Sequence, residues 1–238
     1  MSMNDPTNPH RAALIPEHAS KKGGRLGRHI HFDERSRAFR VPLLAAAKVT
    51  SRTWNRTVKP FDQGTTGACT GNGAVGVLAT EPYYKKGIKY GEPLARKVYS
   101  QATKLDAIVG DWPPSDTGST VLAAMKALKK LGYTTGYNWC FGLDDVLKAL
   151  STVGPVEVGV NWYEGFDAPD KQGRVKISGA VRGGHAFEIL GVDAQAKTVL
   201  AENSWGSTWA LNGRFTFSWK DLDRLLKEQG EASTVVVT

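Results

Sequence analysis

Residues 61–76 read "FDQGTTGACTGNGAVG", and the chemistry of the chain turns on the cysteine in the middle of them. Only two cysteines, Cys69 and Cys140, occur in the 238 residues. A structural cysteine packs among aliphatic side chains. Cys69 stands instead among small residues, six positions after Gln63, where a turn over residues 60–67 gives way to a small-residue helix spanning about 69–80. Glycines weaken an exposed helix but allow close packing when the helix is buried. A helix N-terminus and a nearby imidazole both lower a thiol pKa, so Cys69 is a candidate nucleophile. Cys140, flanked by Trp139 and Phe141, reads as a packed small hydrophobe.

An imidazole partner has few sources. Of five histidines, His10, His18, His29 and His31 lie in the N-terminal segment, and only His185 belongs to the expected core. It opens a strand after "RGG", which leaves room around it. "AENSWGSTW" places Asn203 at the end of the next strand, a natural hairpin partner whose amide can orient the imidazole. Trp205 can shield that bond from water.

Around these stretches the hydrophobic period changes once. Helices are expected at about 93–106, 117–133 (Ser119 as N-cap, Gly132 as C-cap) and 142–154. Strands follow at 155–162, 185–193, 198–205 and 213–219, then a short helix in "KDLDRLLKEQG" and a terminal strand in "STVVVT". Helices first and strands second make an α+β chain, read as two lobes with a cleft between them.

The N-terminal part differs in kind. Residues 1–56 hold 11 Lys/Arg against 4 Asp/Glu, nearly all of the net charge of +8. Residues 1–50 therefore read as a basic arm, disordered at first and then draped in extended form, ahead of a body at 51–238 (helical lobe about 60–150, β lobe about 151–238). No aromatic-interleaved basic face marks a nucleic-acid site, although the arm suits an acidic partner. No apolar run is long enough to cross a membrane, and no signal peptide or disulfide framework is legible, so a reducing, cytoplasmic or virion-associated setting is expected. No further ligands are spaced to join Cys69 and His185 around a metal, and no cofactor is expected.

Taken together, "QGTTGAC", "GGHAFEILGVD" and "NSWGSTWALNG" resemble the three signatures of the papain-like cysteine peptidases, in order, over about residues 50–238. The resemblance implies a two-lobed fold, helical lobe first and antiparallel β-sheet or barrel second, with the site in the cleft. It implies Cys69 as nucleophile, His185 as general base then acid, Asn203 as the orienting amide, and Gln63 with the Cys69 N–H as oxyanion donors. Trp205 would cover the His–Asn pair. Gly118, in "SDTGST", and Gly184 would contact a substrate backbone added as a strand.

The departures are specific. Thr66 stands where the family has a disulfide-bonded cysteine, and Thr70 where it has a tryptophan. Cys69 and His185 lie closer in sequence than the roughly 130–150 residues usual for the family, which points to trimmed loops. No long helical propeptide like that of lysosomal members is expected in residues 1–50, which are too short and too polar to replace it, and "LGRHIHFDERSRAF" resembles the short N-terminal element of compact bacterial and phage members. The implied activity is peptide-bond hydrolysis by a monomer acting on a peptide or protein substrate. The alternatives are an amidase cutting cell-wall peptides by the same chemistry, and a silent binding module that keeps the fold.

Overall fold

A computed structural model describes residues 26–43 and 46–237. The expectations for the start of the arm, residues 1–25 with His10 and His18, lie outside the described residues. Among the described residues five α-helices are formed: α1 (Cys69–Leu78), α2 (Glu92–Thr103), α3 (Val121–Lys130), α4 (Leu143–Thr152) and α5 (Trp219–Lys227). The strands are β1 (Arg52–Thr53), β2 (Gly136–Trp139), β3 (Val156–Tyr163), β4 (Val181–Asp193), β5 (Thr198–Glu202), β6 (Arg214–Ser218) and β7 (Glu231–Val236). Six of them pair in the order β2-β7-β3-β4-β5-β6, and β1 adds to β4. All these pairs are antiparallel, so the expected α+β architecture holds.

The sheet is covered on both faces. Along β3, Val156, Val158, Val160 and Trp162 point into a core shared with Leu150 of α4, Phe187, Phe215 and Leu222 of α5. The alternate positions, Glu157 and Gly159, face Gly73 of α1 and Val121 of α3. A second core joins α1, α2 and α3 through Leu78, Val98, Met125 and Leu128. Each such fully buried aliphatic side chain contributes about 1.5–3 kcal/mol.

Every residue of α1 is buried. The small residues expected to permit close packing do so: a Cβ on Gly71 would lie 2.5 Å from the Ala95 carbonyl oxygen and 2.8 Å from Tyr99 Cβ. An Ala there would drive α1 off α2.

Two expectations need correction. Thr120, not Ser119, caps α3, its hydroxyl accepting from the Ala123 N–H at 3.0 Å. Ser119 is otherwise engaged, donating its hydroxyl to Asp106 Oδ2 at 2.6 Å. Helix α4, assigned to the helical lobe by its place in the sequence, packs in the sheet-side core through Val146, Leu147 and Leu150. Its amphipathic stripe finds its apolar partner on the face of the sheet away from α1.

Candidate active site

Cys69 is the first residue of α1, where unpaired backbone N–H groups make the helix end electropositive. Its turn is held by residues three to six positions earlier. Gln63 Nε2 donates to the Thr66 carbonyl at 2.7 Å, and Thr66 Oγ1 returns a bond to the Gln63 carbonyl at 2.7 Å. Gln63 also joins this turn to the strand end that carries Asn203. Its N–H donates to the Ser204 carbonyl at 2.9 Å, and its Oε1 accepts from Ser204 Oγ at 2.5 Å.

His185 lies early in β4, opposite Val160 of β3. Its Nε2 meets Asn203 Oδ1 at 2.8 Å, just beyond the end of β5, as expected from the hairpin. That places the Nε2 proton on the Asn203 side, and leaves Nδ1 buried without a hydrogen-bond partner among the described residues. Trp205 lies 5.1 Å from the imidazole, ring centre to ring centre. Trp162, which the sequence did not single out, sits closer, edge-on at 4.8 Å. The β3 pattern alone made it a core residue, and only the register shows it beside His185.

A second group missed in the sequence shapes the walls. Tyr99 of α2 donates its hydroxyl to Asp116 Oδ1 at 2.6 Å and accepts the Gly118 N–H at 2.9 Å. Asp116 also accepts the Gly67 N–H, at 3.0–3.1 Å. One Tyr–Asp pair therefore fixes both the turn before Cys69 and the stretch carrying Gly118. The neighbouring "SDTGST" motif was the available signal.

Between the Gly118 and Gly184 walls runs the chain's own residues 26–29. Ser119 N–H donates to the Gly27 carbonyl and His29 N–H to the Ser119 carbonyl, both at 2.8 Å. On the other side the Gly27 and Arg28 N–H groups reach the Gly184 carbonyl at 3.2 and 3.0 Å. Gly118 is in the left-handed region at φ +74°, and a Cβ there would meet the Gly27 backbone. A Cβ on Gly184 would likewise run into the Arg28 carbonyl. The expected draping of the arm is thus a threading of the cleft, and it leaves Cys69 and His185 wholly buried.

That burial sets the protonation state. It pushes the Cys69 thiol up to about 12, the Ala186 and Gly27 backbone amides pulling the other way. It pulls the His185 imidazole down to about 4, opposed by the Asn203 hydrogen bond. With the arm in place the pair is therefore neutral thiol and neutral imidazole. No group of three or more metal-ligating side chains occurs among the described residues, and no helix among them is long and apolar enough to cross a membrane.

The three-dimensional likeness is to cysteine proteases. Xylellain from Xylella fastidiosa superposes with a TM-score of 0.75 at 17% identity, over 93% of this chain and 98% of that one. The relatives by sequence are also named as peptidases. An uncharacterized peptidase C1-like protein of Acanthamoeba polyphaga mimivirus is 24% identical over 203 residues, 67% of this chain. The chain is similar in fold and in sequence to the papain-like cysteine peptidases. Cathepsin B-like cysteine proteinase 5 of Caenorhabditis elegans is 31% identical over 168 residues, 61% of this chain. The chain spans 64% of the mimivirus protein and 49% of the nematode one. The sequence matches none of the protein-family models.

Proposed function

We propose that the chain is a cysteine peptidase working through Cys69, His185 and Asn203, with residues 26–29 closing its cleft. The observation that carries the reading is the His185 Nε2–Asn203 Oδ1 bond. It commits one ring nitrogen to orientation and leaves Nδ1 to exchange a proton with a thiol at the start of α1. Once the arm lifts, Nδ1 takes the Cys69 proton and the thiolate attacks the substrate carbonyl. The negative oxygen of the tetrahedral intermediate is met by the Cys69 N–H and the Gln63 amide. His185 returns the proton to the leaving amine, and water hydrolyses the thioester with the same residue as base. Substrate backbone takes the place that residues 26–29 occupy, bonded to Ser119 on one side and Gly184 on the other.

Iodoacetamide labelling of the full chain tests both parts. Arg28→Ala removes the ion pair to Glu231, Nη2 to Oε2 at 2.9 Å, that anchors the arm, and should expose Cys69, while Cys140, buried apart from the cleft, stays unlabelled in both forms. The Arg28→Ala chain should also cleave peptide amides, and adding Cys69→Ala should abolish that turnover. Equal labelling of the two thiols, or turnover that survives loss of Cys69, would refute the assignment.

A further inference from the structure

The sheet ends at β2, which pairs with β7 on one side only. Cys140 N–H donates to the Ala232 carbonyl at 2.9 Å, so residues 140 and 232 are a hydrogen-bonded pair. The alternation of an antiparallel ladder then turns the backbone groups of Asn138 and Gly136 toward β7, and those of Trp139 and Tyr137 outward. On that outer side Val41 N–H takes the Trp139 carbonyl at 2.8 Å. The N–H and carbonyl of Tyr137 have no hydrogen-bond partner among the described residues. A sheet edge is ordinarily blunted by charge or proline on the strand itself, and β2, Gly-Tyr-Asn-Trp, has neither.

Beside this edge runs a groove of about 600 Å³, between β2 and the last turns of α3. Its apolar lining is the Tyr137 ring, the Phe39 ring 6.0 Å away, and Val236. Phe39 is 49% exposed and Val236 37%, so this strip faces solvent. The α3 wall carries Lys126, Lys129 and Lys130. Lys126 stands 3.8 Å from Asp33 Oδ2, a carboxylate already engaged by Arg35 Nη2 at 2.6 Å. Lys129 and Lys130 form no ion pair among the described residues. The negative end of α3 amounts to about half a charge and offsets only a fraction of theirs.

We propose that this groove docks an acidic, extended segment of a partner protein, which adds to β2 as an edge strand. The segment's backbone pairs with Tyr137, its carboxylates meet the lysines of α3, and an apolar side chain covers Phe39. Charge decides the occupant. A second copy of the chain would set the lysines against themselves across a two-fold axis. Residues 1–25 of the chain carry 4 Lys/Arg against 2 Asp/Glu, the wrong sign for the site. The groove shares no residue with the cleft, so this proposal and the peptidase reading can fail separately.

The test is fluorescence anisotropy on the full chain carrying Cys69→Ala, which keeps the probes intact. The probes are a short labelled peptide of alternating glutamate and valine, its lysine–valine counterpart, and a sulfated oligosaccharide. The glutamate–valine peptide should bind and the lysine–valine peptide should not. Lys129→Glu/Lys130→Glu should weaken binding about tenfold. Lys86→Glu/Lys89→Glu, the same change of charge at exposed positions off the groove, should weaken it less than about twofold. Methylating the peptide's backbone nitrogens should abolish binding at one alternate set of positions and spare the other, since only every second residue of an added strand faces β2. Failure of the glutamate–valine peptide to bind, or binding unmoved by Lys129→Glu/Lys130→Glu, overturns the site. A sulfated oligosaccharide bound as tightly makes it a general anion surface and overturns the peptide reading. Equal tolerance of methylation at every position refutes strand addition.

Discussion

Burial between Trp162 and Trp205 holds the His185 imidazole neutral, with its pKa lowered to about 4 from 6.5. Between those two values the unfolded chain binds a proton that the folded one refuses. Stability from this residue is thus complete above pH 6.5 and is lost as the pH falls toward 4, by about 3 kcal/mol in all. Urea unfolding at pH 7 and pH 4.5 should show a smaller decline for His185→Gln than for the parent chain, and equal declines would refute the shift. His185, Cys69, Asn203 and Gln63 were legible because each carries its signal locally, in a glycine-rich turn or at a strand end. Arg28 and Glu231 were not. They stand 203 residues apart, and nothing near either one announces the other.

At the scale of elements, the strands that hold the site are pinned by charge as well as by apolar packing. Glu188 of β4 and Glu202 of β5 are register partners, and both are buried. Arg56 bridges them, Nη1 to Glu188 Oε2 at 2.5 Å and Nε to Glu202 Oε1 at 2.7 Å, with its guanidinium over the Phe61 ring. Glu202 immediately precedes Asn203, so this ion pair fixes the strand end that orients His185. Arg56→Met would strand carboxylates in a low-dielectric interior, at a cost of about 3–5 kcal/mol. Denaturant titration should show that loss, and Arg56→Met combined with Glu188→Gln should recover part of it; a loss below about 1 kcal/mol would mean that water reaches the cluster. The long strands and the helices were legible from period and caps. Missed were β1 and β2, two and four residues long, and the six-residue 3-10 helix Glu34–Phe39. Segments that short repeat a hydrophobic period at most twice, too few to stand out from chance, and tertiary pairing defines them.

At the scale of the whole molecule, the sequence separated a basic arm from a neutral body, and the structure reunites them. Part of the arm's charge is consumed internally: Arg28 on Glu231, and Arg40 on Asp145 in a two-pronged pair at 2.7 and 2.8 Å. Charge counts could not show this, because both acids lie in the body and each pairing is set by the fold. The covalent link between arm and body also has a kinetic meaning. A tethered blocker acts at an effective concentration in the millimolar range, whatever the amount of protein in the tube. The rate per molecule should therefore stay constant over about three orders of magnitude of dilution, whereas a blocker exchanged between molecules would give a rate that rises as the protein is diluted. On the proposed reading, a free peptide must outcompete that local concentration, so the closed state discriminates against scarce substrates and yields first to abundant ones. On the proposed reading, the loop that ties residues 26–29 to their own cleft thus sets a threshold, and the chain answers to the local supply of substrate rather than to its mere presence.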